Sequence, residues 1–364
     1  MSGAIVGVVG GGQLARMLLE AALALDVGLS FYVRPGEEGI SGWSPRVVEG
    51  PLELEALRAF ARTVDVVTFE HELVHPTVLA ALERDGVRLA PPAGAMAVGS
   101  DKELQRRLFA SLGLAAIPSE LVDRARSERP HISPPYLLKA AHGGYDGRGL
   151  VRVDTEKDLP PTGRYLAEPI LPIEAEGAVL VARSPSGAIR SWDPIRLVNL
   201  EGICVEAAWP SELPEAIERA ALRAAIAIAE ALDFVGVLAM EFFVVEGGLI
   251  VNEIAPRVHN SGHLTIEAAV TSQFENHLRA ILDHPLGDTS PLSPAAMVNL
   301  LGRIADRTSP SRVRVHRYGK TPRARRKLGH VTALAPTVAE ARQHARAAAR
   351  TLGGELIREL EEVG

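Results

Sequence analysis

Glu241 and Glu253 are the first residues in this chain from which chemistry can be read. They lie in two β-rich runs, Met240–Val245 and Leu249–Ile254, separated by Glu246-Gly247-Gly248, which reads as a hairpin turn. With a three-residue loop, residue i faces residue 494 − i, which sets Glu241 against Glu253 across the ladder. Directly opposed side chains have Cβ atoms roughly 4.5–5.5 Å apart, and like charges at that distance repel. A cation between the carboxylates removes the conflict, and hard divalent ions such as Mg²⁺ take carboxylate oxygens together with substrate phosphates. The competing reading is an edge hairpin whose glutamates face water. A two-residue loop would shift the register and send the two side chains to opposite faces. The run-on into Arg257, His259, Asn260, Ser261 and His263 speaks for a site, being so dense a polar run directly after a buried strand.

A second chemical stretch lies upstream. Tyr136–Ala140 reads as a strand with Lys139 at its end, followed by His142-Gly143-Gly144-Tyr145-Asp146-Gly147-Arg148-Gly149 and a strand from Leu150 to Val153. So glycine-rich a connection exposes backbone N–H groups and is of the kind that covers phosphates, with Lys139 as a point charge. Ser100-Asp101-Lys102-Glu103 reads as a capping box for a helix through Ser111. Lys102 in its first turn runs against the dipole preference for acids there, so it is either solvated or close to a phosphate.

These groups need elements to hold them. Ala4–Val9, Gly10-Gly11-Gly12 and a helix with Leu14, Leu18, Ala21 and Leu25 on one face form a strand–glycine loop–helix unit suited to a phosphate. The next strand, Leu29–Val33, ends at Arg34, where an NAD site wants an acid, so a dehydrogenase is disfavoured. A strand over Val64–Phe69 runs into Glu70-His71-Glu72, at the end where α/β sheets bind ligands. Val87–Ala90 reads as a further strand before Pro91-Pro92. Tyr165–Glu168 is a strand, Val179–Ala182 and Ala188–Ser191 pair around a turn, and Pro214–Leu232 and Ser272–Leu282 are helices. Beyond 285 come a linker, a strand over Ala296–Leu301, a basic run over His316–His330 and a closing helix, Val338–Leu352. The basic run is open to three readings: a solvated face, an RNA patch, or a phosphate or carboxylate site. Tyr318 alone interleaves as an aromatic, which weakens the RNA reading.

Composition narrows the class. The net charge of −6 carries no global nucleic-acid signal, and Cys204 as the sole cysteine excludes intrachain disulfides and zinc–cysteine clusters. No run reaches the ~18 apolar residues of a membrane span, and the opening segment lacks the pattern of a signal peptide. A cytoplasmic protein with no membrane partner is expected.

With the motifs GGGQLARML, VTFEHE, SDKELQRRLF, KAAHGGYDGRG, AMEFFV, NEIAPRVHNSGH and YGK…RRKLGH in this order, the chain resembles the ATP-grasp superfamily. Within it, the chain is similar to the N5-carboxyaminoimidazole ribonucleotide synthetases of purine biosynthesis. The resemblance implies a mixed α/β (α+β overall) ATP-grasp fold with three parts: a Rossmann-like pre-ATP-grasp domain over 1–98, an ATP-grasp domain over 99–290 with a lid over 117–170, and a small β-rich C-terminal domain over 291–364. It implies ATP between two sheets, with phosphates at Lys102, Lys139, Gly144, Tyr145, Asp146, Gly147, Arg148, Gly149 and Leu150. Adenine and ribose would meet Glu168, Pro169, Ile170, Leu171 and Glu176. Two Mg²⁺ ions, or Mn²⁺, would sit on Glu241 and Glu253 with Asn252 beside them, and no biotin is needed.

The family's chemistry implies a carboxyphosphate gripped by Arg257, His259, Asn260 and His263, with Asp146, Arg148 and Lys320 completing the catalytic set. Aminoimidazole ribonucleotide would contact Tyr145, Asp146, Arg148, Lys320 and Arg326, with Gln13, Leu14, Glu70, Ser261, His263 and Lys327 around it. Its 5′-phosphate would reach the basic run or the Gly11–Leu14 turn. A homodimer is implied, and no nucleic-acid partner. Three departures stand out: Leu150 replaces a polar residue, Gly177-Ala178 stands where serine is common, and a histidine is missing around Asn199-Leu200-Glu201. Two other classes stay open: an ATP-grasp ligase for another amine nucleotide, and a nucleotide-binding regulator without turnover. A nucleic-acid module on residues 312–327 is the third alternative.

Overall fold

The computed structural model describes residues 3–143, 149–305 and 311–363, so the expectations on Gly144, Tyr145, Asp146, Gly147 and Arg148 lie outside the described residues. The first layer is built from β1 (Ile5–Val9), α1 (Gln13–Ala24), β2 (Gly28–Val33), β3 (Val47–Glu49), α2 (Leu54–Ala61), β4 (Val66–Phe69), α3 (Pro76–Arg84) and α4 (Ala93–Ser100). Its four strands are parallel in the order β3-β2-β1-β4, and both of its faces are packed. Covered parallel strands read as continuous apolar runs, which is why β1 and β4 are legible. Val87–Ala90 does not extend the sheet; it makes one parallel bridge, Val67 to Leu89. On α1 the buried face is Leu14, Ala15, Met17, Leu18 and Ala22, rotated from the expected stripe because Ala21 and Leu25 lie at its margin.

α5 (Lys102–Ser111) leads into β5 (Glu120–Asp123), β6 (Tyr136–Ala140), β7 (Leu150–Val153) and β8 (Arg164–Pro169), an antiparallel sheet in the order β5-β8-β6-β7. The N-cap of α5 is Asp101, whose carboxylate accepts from the Glu103 and Leu104 N–H groups. Ser100 instead ends α4, so the expected capping box does not form.

The third sheet has nine strands and takes most of the remaining chain. Its members are β9 (Ile173–Arg183), β10 (Ile189–Ser191), β11 (Ile195–Leu200), β12 (Ile203–Trp209), β13 (Gly236–Val245), β14 (Gly248–Ala255), β15 (Ala295–Leu301), β16 (Val313–Arg317) and β17 (Lys327–Leu334). The order is β14-β13-β9-β11-β12-β15-β17-β16, with β10 paired to β9. The C-terminal strands therefore continue the sheet of β9–β14 through the β12–β15 pairing. The helices are α6 (Glu215–Ala231), α7 (Thr265–Ala268), α8 (Gln273–Ile281), α9 (Val338–Leu352) and α10 (Ile357–Val363). α6 packs an alanine-rich face on β9 and β13, which lets helix and sheet approach closely, and α9 covers β15 and β17. Phe274, Leu278 and Ile281 are the buried face of α8, as the spacing predicts. Among the described residues no helix is long and apolar enough to cross a membrane.

Candidate active site

The hairpin β13–β14 turns in two residues, not three. Val245 pairs with Gly248, and Glu246 (φ 49°) and Gly247 (φ 69°) both take left-handed backbone, as the favoured two-residue hairpin turn requires. That register alone would pair Glu241 with Asn252. The ladder shifts by one residue between Phe242 and Glu241, however, so that Glu241 does face Glu253. The expected facing pair is present, and a bulge rather than the turn produces it. A bulge sets two neighbouring residues of one strand against a single partner. Asn252 and Glu253, which a regular strand would send to opposite faces, therefore both serve one site.

Two lysines arrive from other elements. Lys102, at the first position of α5, makes an ion pair with the Glu253 carboxylate. Lys139, at the end of β6, lies 2.8 Å from Glu168 Oε2 and donates to Asn252 Oδ1 at 3.0 Å. Arg106, one helical turn beyond Lys102, donates to Glu168 Oε1 at 2.7 Å and to the Asn252 carbonyl at 2.6 Å. Glu168 is thus buried with both oxygens committed to cations, and Pro169, Ile170 and Leu171 follow it out of β8, with Ile170 exposed. Glu176 on β9 is joined by the Asn199 side-chain amide, at the place where the expected histidine is missing. Leu150 opens β7 directly after Gly149 and is exposed.

The segment after β14 folds back under this floor. His259 Nε2 lies 3.5 Å from Glu241 Oε1, while its Nδ1 accepts from the Ser261 N–H at 3.3 Å. An accepting Nδ1 leaves the ring proton on Nε2, directed at the carboxyl. Arg257 is held by Glu72 at 2.9 Å. Asn260 is locked to Asn299 by reciprocal amide hydrogen bonds of 3.1 and 2.6 Å. Ser261 and His263 are fully buried. On the opposite wall, Lys320 donates to Gln13 Oε1 and Arg326 pairs with Glu38 at 2.7 Å, while Lys327 is buried at the start of β17. Glu70 accepts from the N–H groups of Gly12 and Leu14, so its carboxylate holds the α1 N-terminus that the sequence offers to a phosphate.

Set beside known proteins, the chain matches three family profiles in sequence order. They are the ribonucleotide synthetase preATP-grasp domain over residues 3–100, the ATP-grasp domain over 108–274 and the phosphoribosylaminoimidazole carboxylase C-terminal domain over 295–344. It is 39% identical to the N5-carboxyaminoimidazole ribonucleotide synthase of Mycobacterium tuberculosis, across 96% of this chain and 87% of that one. The chain belongs to the N5-carboxyaminoimidazole ribonucleotide synthase family. The crystal structure of the Thermus thermophilus synthetase superposes with a TM-score of 0.82 at 35% identity, covering 95% of this chain and 98% of that one. The Aspergillus clavatus synthase in complex with ADP and 5-aminoimidazole ribonucleotide gives 0.84 at 29% identity, over 96% and 100% of the two chains.

In this member of the synthase family the two facing carboxyls differ sharply. Burial, then Glu253 and Glu176, push Glu241 up to about 8. Burial acts on Glu253 too, but Lys102 and Lys139 outweigh it and hold that carboxylate at about 2. The Lys102 ammonium is likewise raised, since Glu253 overcomes the opposing effect of burial. A divalent ion between Glu241 and Glu253 would keep both ionised, and an all-oxygen donor set suits Mg²⁺ or Mn²⁺. Among the described residues no three His, Cys, Asp or Glu side chains cluster as a metal cage. Such an ion would complete its shell with phosphate and water oxygens, as Mg²⁺ does.

Arg106 and Gln273 are the residues that sequence reasoning missed. Each is a polar residue on a helix: Arg106 stands inside SDKELQRRLF but finds its partners 62 and 146 residues away, and Gln273 stands outside every quoted motif, with partners 10 and 14 residues away. The signal for Arg106 was its i, i+4 spacing from Lys102, which puts both cations on one face of α5.

Proposed function

We propose that this chain is the ligase that carboxylates 5-aminoimidazole ribonucleotide to N5-carboxyaminoimidazole ribonucleotide in purine biosynthesis, consuming ATP and bicarbonate and releasing ADP and phosphate. One observation carries the reading: the bulged hairpin that aims Glu241, Asn252 and Glu253 at Lys102, Lys139 and His259. Bicarbonate attacks the γ-phosphoryl group, and the carboxyphosphate, or CO₂ released from it, is taken by the exocyclic amine. Two Mg²⁺ ions, when bound at Glu241 and Glu253, supply charge neutralisation on the phosphoryl group in flight. Lys102 and Lys139 add fixed positive charge at the same place. Arg257, His259 and Asn260 line the next step along the chain, where the anhydride is held away from water. Asp146 and Arg148 orient the amine, with Tyr145, Lys320, Arg326, Gln13 and Glu70 gripping the rest of the nucleotide.

The domain division at residues 98 and 290, a homodimer and a cytoplasmic location belong to the same proposal; biotin does not. So does the absence of a nucleic-acid partner. The basic run supports that part, since Arg326 goes to Glu38, Arg325 to Glu201 and Lys320 to Gln13 rather than facing outward together.

The test is ADP release with purified protein. It should require both aminoimidazole ribonucleotide and bicarbonate, and Glu253→Gln should lower it on the order of 100-fold or more. ATP binding without substrate-dependent turnover, or full activity in Glu253→Gln, would sink the reading.

A further inference from the structure

His259 is held by its own main chain. The Gln273 side chain accepts from the His259 N–H at 2.8 Å and donates to the His259 carbonyl at 2.6 Å. A peptide N–H can only donate and a carbonyl can only accept, so the orientation of the amide is fixed by its partners. Its second N–H is then directed at His263 Nδ1, 3.4 Å away. Gln273 is fully buried, opens α8, and donates its own backbone N–H to Thr265 Oγ1 at 3.0 Å. Thr265 in turn binds the Gly262 carbonyl at 2.6 Å. The loop closes so tightly around this amide that a Cβ on Gly262 would come within 2.8 Å of Gln273 Cδ.

We propose that Gln273 is the positioning residue for His259, bracketing its peptide groups with one amide and, through the second N–H, holding His263 as the Nε2–H tautomer. The ring nitrogen of His263 that receives this N–H cannot carry a proton, and the other nitrogen is buried without a partner among the described residues. His263 is thereby kept neutral beside His330, with ring centroids 5.0 Å apart, while the Ser261 N–H at Nδ1 leaves His259 with its Nε2–H toward Glu241. The same amide sets the height of His259 above the hairpin, because both peptide groups flanking its Cα are tied down.

The inference rests on the carboxylation reading, in which His259 meets the phosphoryl anhydride, and its test separates the two. Gln273→Glu keeps the shape and replaces the N–H donors by a carboxyl. Protonated, that carboxyl still donates to the His259 carbonyl; ionised, it repels it. The expected result is a kcat lowered roughly 10- to 100-fold at alkaline pH, recovering as pH falls, with the KM for ATP within about twofold of the parent because Lys102 and Lys139 are untouched. Gln273→Leu should show a similar loss without the pH-dependent recovery. A pH-independent effect in Gln273→Glu, or kcat and KM moving together, would overturn the proposal. Nitrogen-15 histidine spectra of the unmodified protein give an arm that needs no turnover. His263 should appear as the Nε2–H tautomer, and an Nδ1–H form would equally overturn it. A parent protein without substrate-dependent ADP release would defeat the carboxylation reading and leave the tautomer result standing.

Discussion

Glu241 and Glu253 face each other across one ladder position yet sit at opposite ends of the carboxyl range, about 8 and about 2. The difference lies in their neighbours: burial raises both, but Lys102 and Lys139 outweigh it at Glu253, whereas at Glu241 the carboxyls of Glu253 and Glu176 add to burial and outweigh Lys327 and Lys102. The consequence for stability has a definite sign. Between the ordinary 4.5 and about 8 the folded chain binds more protons at Glu241 than the unfolded chain, so stability falls as pH rises through that window. Glu253 acts oppositely, its contribution being present above 4.5 and lost as pH falls toward about 2. In chelator, Tm from pH 5 to 8 should therefore decline more steeply for the parent than for Glu241→Gln. Parallel curves would show that Glu241 does not hold its proton. Added Mg²⁺ at pH 8 should raise the Tm of the parent and leave that of Glu241→Gln nearly unmoved.

At the level of elements, the hairpin shows what a sequence reveals and what it hides. Its strands were legible from β-rich runs around a glycine pair, and the facing glutamates were expected. The turn length was not, because Glu246-Gly247-Gly248 fits a two-residue or a three-residue loop equally well. Nothing in the residue types announces the bulge, which arises where Asn252 is drawn toward Lys139, a residue 113 positions away. Gly247 offers a clean test of the two-residue geometry. It has φ +69° and nothing within 4 Å of a would-be Cβ, so Gly247→Ala carries only a backbone cost, about 1 kcal/mol. Denaturant melting should register that loss, whereas Glu246→Asn should be neutral or slightly stabilising because asparagine tolerates left-handed backbone. No loss in Gly247→Ala would contradict the turn as described.

Across the whole molecule, the first layer packs on the large sheet through a shared apolar core, in which α1 meets α8, and buried polar links run through that core. His277 on α8 accepts from the Val237 N–H at 3.0 Å through Nδ1, so its Nε2–H points at Thr68 Oγ1, 2.8 Å away on β4. Burial lowers His277 to about 4, which means its neutral form stabilises the fold above pH 6.5 and the benefit is lost as pH falls toward 4. Thr68→Val keeps the shape and strands that N–H, at a cost of about 1–3 kcal/mol in chemical denaturation. An unchanged midpoint would mean the link carries no energy. Such links explain why the sequence reading recovered strand ends and charged motifs but not their assembly. Arg106 and Asn299 are ordinary polar residues until distant segments bring their partners in, and Gln273 until the loop before α8 folds back on it. The continuation of the large sheet into β15, β17 and β16 was likewise invisible, because no residue on β12 records which strand will be its neighbour.

The extra residue in β14 also ties insertions and deletions in this hairpin to one another. A loop of odd length could set Glu241 against Glu253 with an unbroken ladder, but Asn252 would then turn away from Lys139. An even loop keeps all three groups together only if the ladder skips a residue. Changes in loop length by two should be tolerated in any chain that keeps this catalytic floor, and changes by one should appear only with a compensating loss at Asn252. A library of loop-length variants scored for activity would display that as an alternation between even and odd lengths.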